Sequence, residues 1–296
     1  MNDESSATLT LESYRLAKQA AHVACYVCQS DNSCHQEFCR HCHAPLALAH
    51  QIKAQGVMPQ MIATIGAAGA GKTVYLGMLT DILSRQEGPL QILARGAFSI
   101  NLQQTTMRAL SQCAFPEKTP NEPDHWNWVH CHVRSKAHKR PLELVMPDMA
   151  GEAILYETEH PHAYPVIRAL LSQCAGAIVL LDAASVSRGS QDQDFFVMKL
   201  LSYLAELDDH RRTGWPNRPI AVVLTKADEC QECFADPAAF AQRRAPGVWR
   251  LCQQRFGRSQ FFAAGVAGAC GQKPDGYGGT QTIPLRIEPR GVVEPF

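Results

Sequence analysis

The sequence has no excess of charge: 28 Lys and Arg offset 28 Asp and Glu over 296 residues, for a formal net charge of zero. That balance argues against a chain whose main task is to coat nucleic acid or an anionic membrane, while leaving room for a local basic patch. There is no run of about eighteen apolar residues, so no segment reads as a membrane-spanning helix. A secretion signal is also missing: the start carries Asp3, Glu4 and Glu12 and no apolar h-region. What is present is an apolar fraction of 46%, enough for a packed core, which excludes a disordered chain. The length suits one large domain, or one domain with a small module. Twelve cysteines without a secretion signal point to reduced thiols in the cytoplasm, some of them on metal.

Four of those cysteines form two Cys-x-x-Cys pairs, Cys25/Cys28 and Cys39/Cys42. Each pair can set two thiolates on one tight turn, and two such turns facing each other make a tetrahedral sulfur site suited to Zn²⁺. The residues between the pairs can form a short hairpin. Cys34, His35, His41 and His43 crowd the same stretch, so one of them could replace a ligand. The segment resembles a zinc ribbon. So small a module needs its metal to fold. Basic residues near it are few (Arg40, Lys53), so structural use or protein docking is favoured over nucleic-acid contact. Ahead of it, apolar spacing from Leu9 to Val23 is compatible with an amphipathic helix.

Met61 to Ile65 is a short apolar run readable as a buried strand, and it leads directly into Gly66-Ala-Ala-Gly69-Ala70-Gly71-Lys72-Thr73. Val74 to Leu83 continues with helical spacing. Strand, glycine-rich loop and helix are the context that a phosphate-binding loop requires. The backbone amides and the positive helix end hold phosphates, Lys72 reaches the β and γ oxygens, and the Thr73 hydroxyl is placed to ligate Mg²⁺. The motif alone does not choose between ATP and GTP.

Two further strands end in polar motifs. Leu142 to Met146 runs into Asp148-Met-Ala-Gly151-Glu152, where an Asp at a strand end can hold Mg²⁺ and the glycine amide can meet a γ-phosphate. Pro219 to Leu224 runs into Thr225-Lys226-Ala-Asp228. A carboxylate there can accept from N1–H and the exocyclic amine of guanine, a pair that adenine does not present, while the Lys226 stem lies along the base. The three motifs, in this order and each after a strand, resemble the Ras-like, translation-factor-related class of P-loop GTPases. With the N-terminal ribbon, the chain more narrowly resembles the bacterial double-GTPase type proposed to act in conflict or defence systems. The resemblance implies an α/β fold: a doubly wound GTPase sheet with helices on both faces, plus a small zinc ribbon. The expected division is a helical segment at 1–24, the ribbon at 25–50 and the GTPase domain at 58–296, with GTP, Mg²⁺ and Zn²⁺ as cofactors. A guanine nucleotide and a protein partner, reached through the switch loops or the ribbon, are the expected ligands.

The resemblance also requires a Thr that meets Mg²⁺ only when a γ-phosphate is present. Thr105, Thr106 and Thr119 are candidates; Thr119 is favoured, in a Pro-rich loop before a strand over Trp126 to Val133 that can pair antiparallel with the strand ending at Asp148. Thr105 and Thr106 fall inside an expected helix, Phe98 to Cys113, part of an insertion that also holds a strand at Leu90 to Ala94. Where relatives place a water-orienting Gln, this sequence has Glu152, whose charge would repel a γ-phosphate; slow turnover follows. Ala68 adds a methyl where many relatives have Gly. Arg85, Arg95 and Arg168 are basic residues without an assignable finger role.

Elsewhere, Gly176 to Asp182 reads as a buried strand and Asp192 to Leu207 as a helix. Cys230 and Cys233 lack a second pair and read as free thiols; His125, His130, His132 and His138 read as surface or core residues. Arg258 to Ala264 looks like the last strand, with Ala264 and Gly265 offering an amide to the guanine oxygen. Residues 265–280 read as a mobile glycine-rich loop. A closing helix is expected after it; its absence from the sequence implies truncation or cover by another chain.

Overall fold

A computed structural model describes residues 22–85, 90–135, 138–209, 218–274 and 279–296. Strands β1 (His22–Ala24) and β2 (Asp31–Ser33) pair antiparallel around the first cysteine pair. The expected hairpin therefore flanks Cys25 and Cys28 rather than filling the space between the two pairs. Turn bonds from the Gln29 amide to the Cys25 carbonyl and from the Cys25 amide to the Ser30 carbonyl close it. The amphipathic helix expected up to Val23 lies mostly outside the described residues; at His22 and Val23 the chain is strand instead, with Val23 buried. Helix α1 (Ala47–Gln55) follows and ends at Gly56 in the left-handed conformation.

The body then alternates strand and helix. In chain order come β3 (Gln60–Gly66), α2 (Lys72–Arg85), β4 (Leu90–Arg95), α3 (Gly96–Ser111), β5 (Asn127–Ser135) and β6 (His138–Asp148). Next are α4 (Gly151–Glu159), α5 (Pro165–Gln173), β7 (Gly176–Asp182), α6 (Ala183–Ser187), α7 (Asp192–Asp209) and β8 (Ile220–Thr225). The chain continues through α8 (Glu232–Ala235), α9 (Pro237–Arg244), α10 (Pro246–Arg255), β9 (Ser259–Ala263), β10 (Gly265–Pro274) and β11 (Thr280–Arg290). Pro at the first turn of α5, α9 and α10 sets each start where no amide partner is needed.

Seven strands make one sheet in the order β4-β5-β6-β3-β7-β8-β9. The run from β6 to β9 is parallel, and β4 and β5 extend it antiparallel. β7 is buried along its whole length, as its uninterrupted apolar run requires of a strand covered on both faces. One face packs on α4, α5, α7, α9 and α10 through Ile154, Leu170, Leu200, Phe240 and Val248. The same apolar layer includes the cysteine ribbon, whose Tyr26 meets Trp128 of β5 edge to face at 5.6 Å. The other face packs on α2 and α3 through Leu76, Leu79, Leu83, Leu102 and Leu110. The protein is thus an α/β sheet with helices on both faces and a four-cysteine cluster at its N-terminal end. No helix among the described residues is long and apolar enough to cross a membrane.

The C-terminal segment departs from expectation. Residues read as a mobile glycine-rich loop form β10, which pairs antiparallel with β11 in a separate two-stranded ribbon. In place of the expected closing helix, Val292, Val293 and Phe296 pack against the α2 side of the sheet. The pairing supplies the backbone partners that the small residues of β10 could not signal alone.

Candidate functional site

The parallel order places the loops after β3, β6 and β8 at the same end of the sheet, where open α/β folds collect ligands. A cavity of about 550 Å³ lies there. Lys72 and Asp228 both line it, together with Gly69, Gly71, Thr73, Val74, Thr119, Gly151, Glu152, Thr225, Lys226 and Ala264. Gly66, Ala70, Asp148 and Gly265 stand buried behind that wall.

At one end the loop after β3 turns through Gly69 and Gly71, both in the left-handed region. The Lys72 ammonium donates to the carbonyls of Gly66 (3.0 Å) and Ala67 (2.9 Å). Burial pulls its pKa down to about 8, against the pull of Asp148 and Glu152. Thr73 Oγ1 donates to Asp148 Oδ2 at 2.9 Å, and Thr119 Oγ1 donates to the same oxygen at 3.1 Å. The two hydroxyls are 3.1 Å apart. Three oxygens spaced this way match the edges of roughly 3 Å expected around an octahedral Mg²⁺ with oxygens at about 2.1 Å, so the residues fit that ion. Burial raises the pKa of Asp148, and its Oδ1 has no hydrogen-bond partner, a buried acceptor left for such a cation. Gly151 packs on the loop after β3 so closely that a Cβ there would collide with the backbone of Ala67 and Ala68. Thr106, by contrast, is buried against Gly77 in the α2–α3 contact.

At the other end, Asp228 is half-buried and its carboxyl pKa is raised by burial, while its own amide and that of Val266 support the ionised form. Lys226, in the left-handed conformation, pairs with Asp182 at 2.6 Å. Asp182 also caps α6 through the Ser185 amide. Thr225 turns its hydroxyl inward to the Ala70 carbonyl at 2.8 Å and the Leu181 carbonyl at 3.3 Å. Its side chain ties the β8 loop to the loop after β3, and Ala264 receives the Ala227 amide at 3.1 Å.

The arginines singled out as basic residues have other partners: Arg85 pairs with Asp81, Arg95 approaches Glu143 at 3.7 Å and Arg168 donates to Tyr203. Arg188 does line the cavity, 3.4 Å from Glu229. Its isolated position in the sequence gives no signal. Val266, Cys270, Gln272 and Thr282 also line it; the alternation Ile283, Leu285, Ile287 was the available sign of a strand there. A second cavity of about 360 Å³ adjoins Ala68, Gly151 and Glu152 and runs between α4 and α7.

In the N-terminal ribbon the sulfurs of Cys25, Cys28, Cys39 and Cys42 all lie within 4.8 Å of one another. Cys25 and Cys42 are 3.6 Å apart and Cys28 and Cys39 3.5 Å. A tetrahedron of sulfurs about 2.3 Å from zinc has edges of about 3.8 Å, so the cluster fits that ion. Cys34, His35, His41 and His43 do not belong to it. Among the described residues no other group of three or more His, Cys, Asp or Glu comes together in this way. Cys230 and Cys233 are buried thiols. His130 and His132 flank buried Glu143 at 2.9 Å and 2.6 Å. Arg134 donates to His132 Nε2, which leaves the proton on Nδ1 for Glu143. Burial lowers the His130 pKa. This cluster lies within the sheet, apart from the cavity.

The family described as Double-GTPase 1 (DO-GTPase1) matches residues 63–197, and the chain resembles the double-GTPase type of P-loop GTPase. No curated protein matches it. Solved structures similar to it include the Saccharomyces cerevisiae Ski7 GTPase-like domain bound to GTP, at 14% identity and a TM-score of 0.41; 73% of this chain and 44% of that one are covered. The chain thus spans less than half the length of that protein. The small COPII coat GTPase SAR1 of Encephalitozoon cuniculi, in complex with GDP, matches at 14% identity and a TM-score of 0.32, over 88% of this chain and 82% of that one. The signal recognition particle receptor SRb-GTP/SRX complex of Chaetomium thermophilum matches at 13% identity and a TM-score of 0.38, over 74% and 94%.

Proposed function

We propose, from the resemblance to the double-GTPase type, that this chain is a Mg²⁺-dependent switch that binds and hydrolyses GTP, in a bacterial regulatory or defence system of the cytoplasm. The observation that carries the reading is one cavity lined by both Lys72 and Asp228. Lys72 and the amides of Gly69 to Thr73 hold the phosphates. Thr73, Thr119 and Asp148 would hold Mg²⁺, which neutralises charge developing on the transferring phosphoryl group. Asp228 reads guanine, Lys226 flanks the base, and the Gly265 amide meets its oxygen, since the Ala264 amide, also expected there, donates instead to the Leu224 carbonyl at 2.9 Å. The Gly151 amide faces the γ-phosphate. Water attacks the γ-phosphorus, the bond to the β-phosphate oxygen breaks, and GDP and phosphate leave.

Loss of the γ-phosphate releases Thr119 and the Asp148–Glu152 stretch, the two-state element of the switch. The switch loops or the ribbon carry a protein partner. Residues 25–50 form a zinc-bound ribbon, and 58–296 form the nucleotide domain. Calorimetric titration of GTP and ATP tests the reading: we expect GTP to bind much more tightly, and equal or stronger ATP affinity, as an ATPase would show, overturns it.

Glu152 favours a second reading, a GTP-dependent scaffold with little hydrolysis. Its carboxylate lines the cavity where relatives place a neutral amide. Single-turnover phosphate release in the wild type, lost in Lys72→Ala, would remove that alternative.

A further inference from the structure

The hairpin of β10 and β11 has no part in the motif-based site, yet it closes the cavity on the side of Asp228. Its base is fastened at three points. The Tyr75 hydroxyl of α2 donates to the Val292 carbonyl at 2.9 Å. The Arg290 guanidinium sits 4.6 Å from the Phe234 ring centre. The Val266 amide supports the Asp228 carboxylate. Cys270 pairs with Pro284 and Gln272 with Thr282, so Cys270, Gln272 and Thr282 share one face, and all three line the cavity. Gln272 Nε2 donates to Thr282 Oγ1 at 3.1 Å, which ties the two strands at the cavity mouth.

The hairpin side chains that line the cavity are uncharged: apolar Val266 and Ala267 near Asp228, then Cys270, Gln272 and Thr282. Such a wall suits a purine face and ribose hydroxyls rather than phosphates, whose cationic and amide donors stand at the other end. We propose that the β10–β11 hairpin is the outer wall of the nucleoside half of the site. Its Val266–Cys270 stretch covers the base, and its Gln272–Thr282 pair covers the ribose. This rests on the GTP reading and extends it. The hairpin sets affinity for the guanine nucleoside without regard to the number of phosphates.

Cys270 serves as a probe on that wall, and exposed Cys113 as its control. The full chain with zinc bound is alkylated with N-ethylmaleimide and followed peptide by peptide by mass spectrometry. Saturating Mg²⁺-GTP or Mg²⁺-GDP should slow Cys270 about tenfold and leave Cys113 within about twofold. Mg²⁺-tripolyphosphate, which lacks a nucleoside, should not protect it. The surface variant Gln272→Ala/Thr282→Ala should weaken GTP and GDP equally, by about fivefold. An unchanged Cys270 rate while calorimetry records GTP binding overturns the wall and spares the GTP reading. Protection by tripolyphosphate, or a loss confined to GTP in the double variant, also overturns it. No heat with either nucleotide overturns both.

Discussion

The hydroxyl of Thr119 lies 3.1 Å from Oδ2 of Asp148, although 29 residues separate them in the chain. The same hydroxyl is 3.1 Å from that of Thr73, the first-turn residue of α2. Loop, strand end and helix start therefore converge on one point. Trp126 steadies the loop, since its Nε1 donates to the Pro120 carbonyl at 2.8 Å and its ring is buried.

Thr119→Ala should separate the two nucleotides. If the hydroxyl meets the cation only alongside a γ-phosphate, Mg²⁺-GTP affinity falls about tenfold while Mg²⁺-GDP stays within about twofold. Calorimetry on both measures it; an equal loss for the two would assign Thr119 to packing.

On the proposed GTP reading, Asp228→Ala removes the acceptor that distinguishes guanine. GTP affinity should fall about 100-fold and ATP affinity should not change, so the preference between bases collapses. Competition against a fluorescent guanine nucleotide reads the ratio directly.

Lys72 gives a pH signature. Its pKa of about 8, lowered from 10.5 by burial, means that the unfolded chain holds more protons between those values. Stability should therefore rise with pH across that window. A bound triphosphate stabilises the ammonium, so binding near pH 8 takes up a proton and weakens as pH climbs. Titration heats in buffers of different ionisation enthalpy should reveal the uptake, and Lys72→Met should abolish it.

Metal removal should act on the ribbon first. Hydrogen bonding to Cys42 lowers the Cys25 pKa, which favours the thiolate form that a metal requires. We expect one zinc per chain. Chelation should alter the fluorescence of Trp128, which meets Tyr26 between the ligands Cys25 and Cys28, and lower the first melting transition by about 5 °C or more. GTP binding should survive, because the cavity is built without ribbon residues.

Much of this protein is legible in short stretches of sequence, because the physics there is local. Gly66 to Thr73 needs only its preceding strand and following helix to form its glycine-rich turn. A Cys-x-x-Cys pair needs only one turn to aim two sulfurs. β7 announces its double burial by having no polar residue before Asp182. Tertiary structure decided what depends on partners far along the chain. Three threonines are compatible with the sequence, but long-range packing brings Thr119 to Asp148 and buries Thr106 on Gly77. Thr225, which the sequence places in the same motif as Asp228, spends its hydroxyl on Ala70, 155 residues away. The glycines and alanines of β10 carry little strand propensity, and only pairing with β11 fixes their backbone and turns Cys270 and Gln272 toward the cavity.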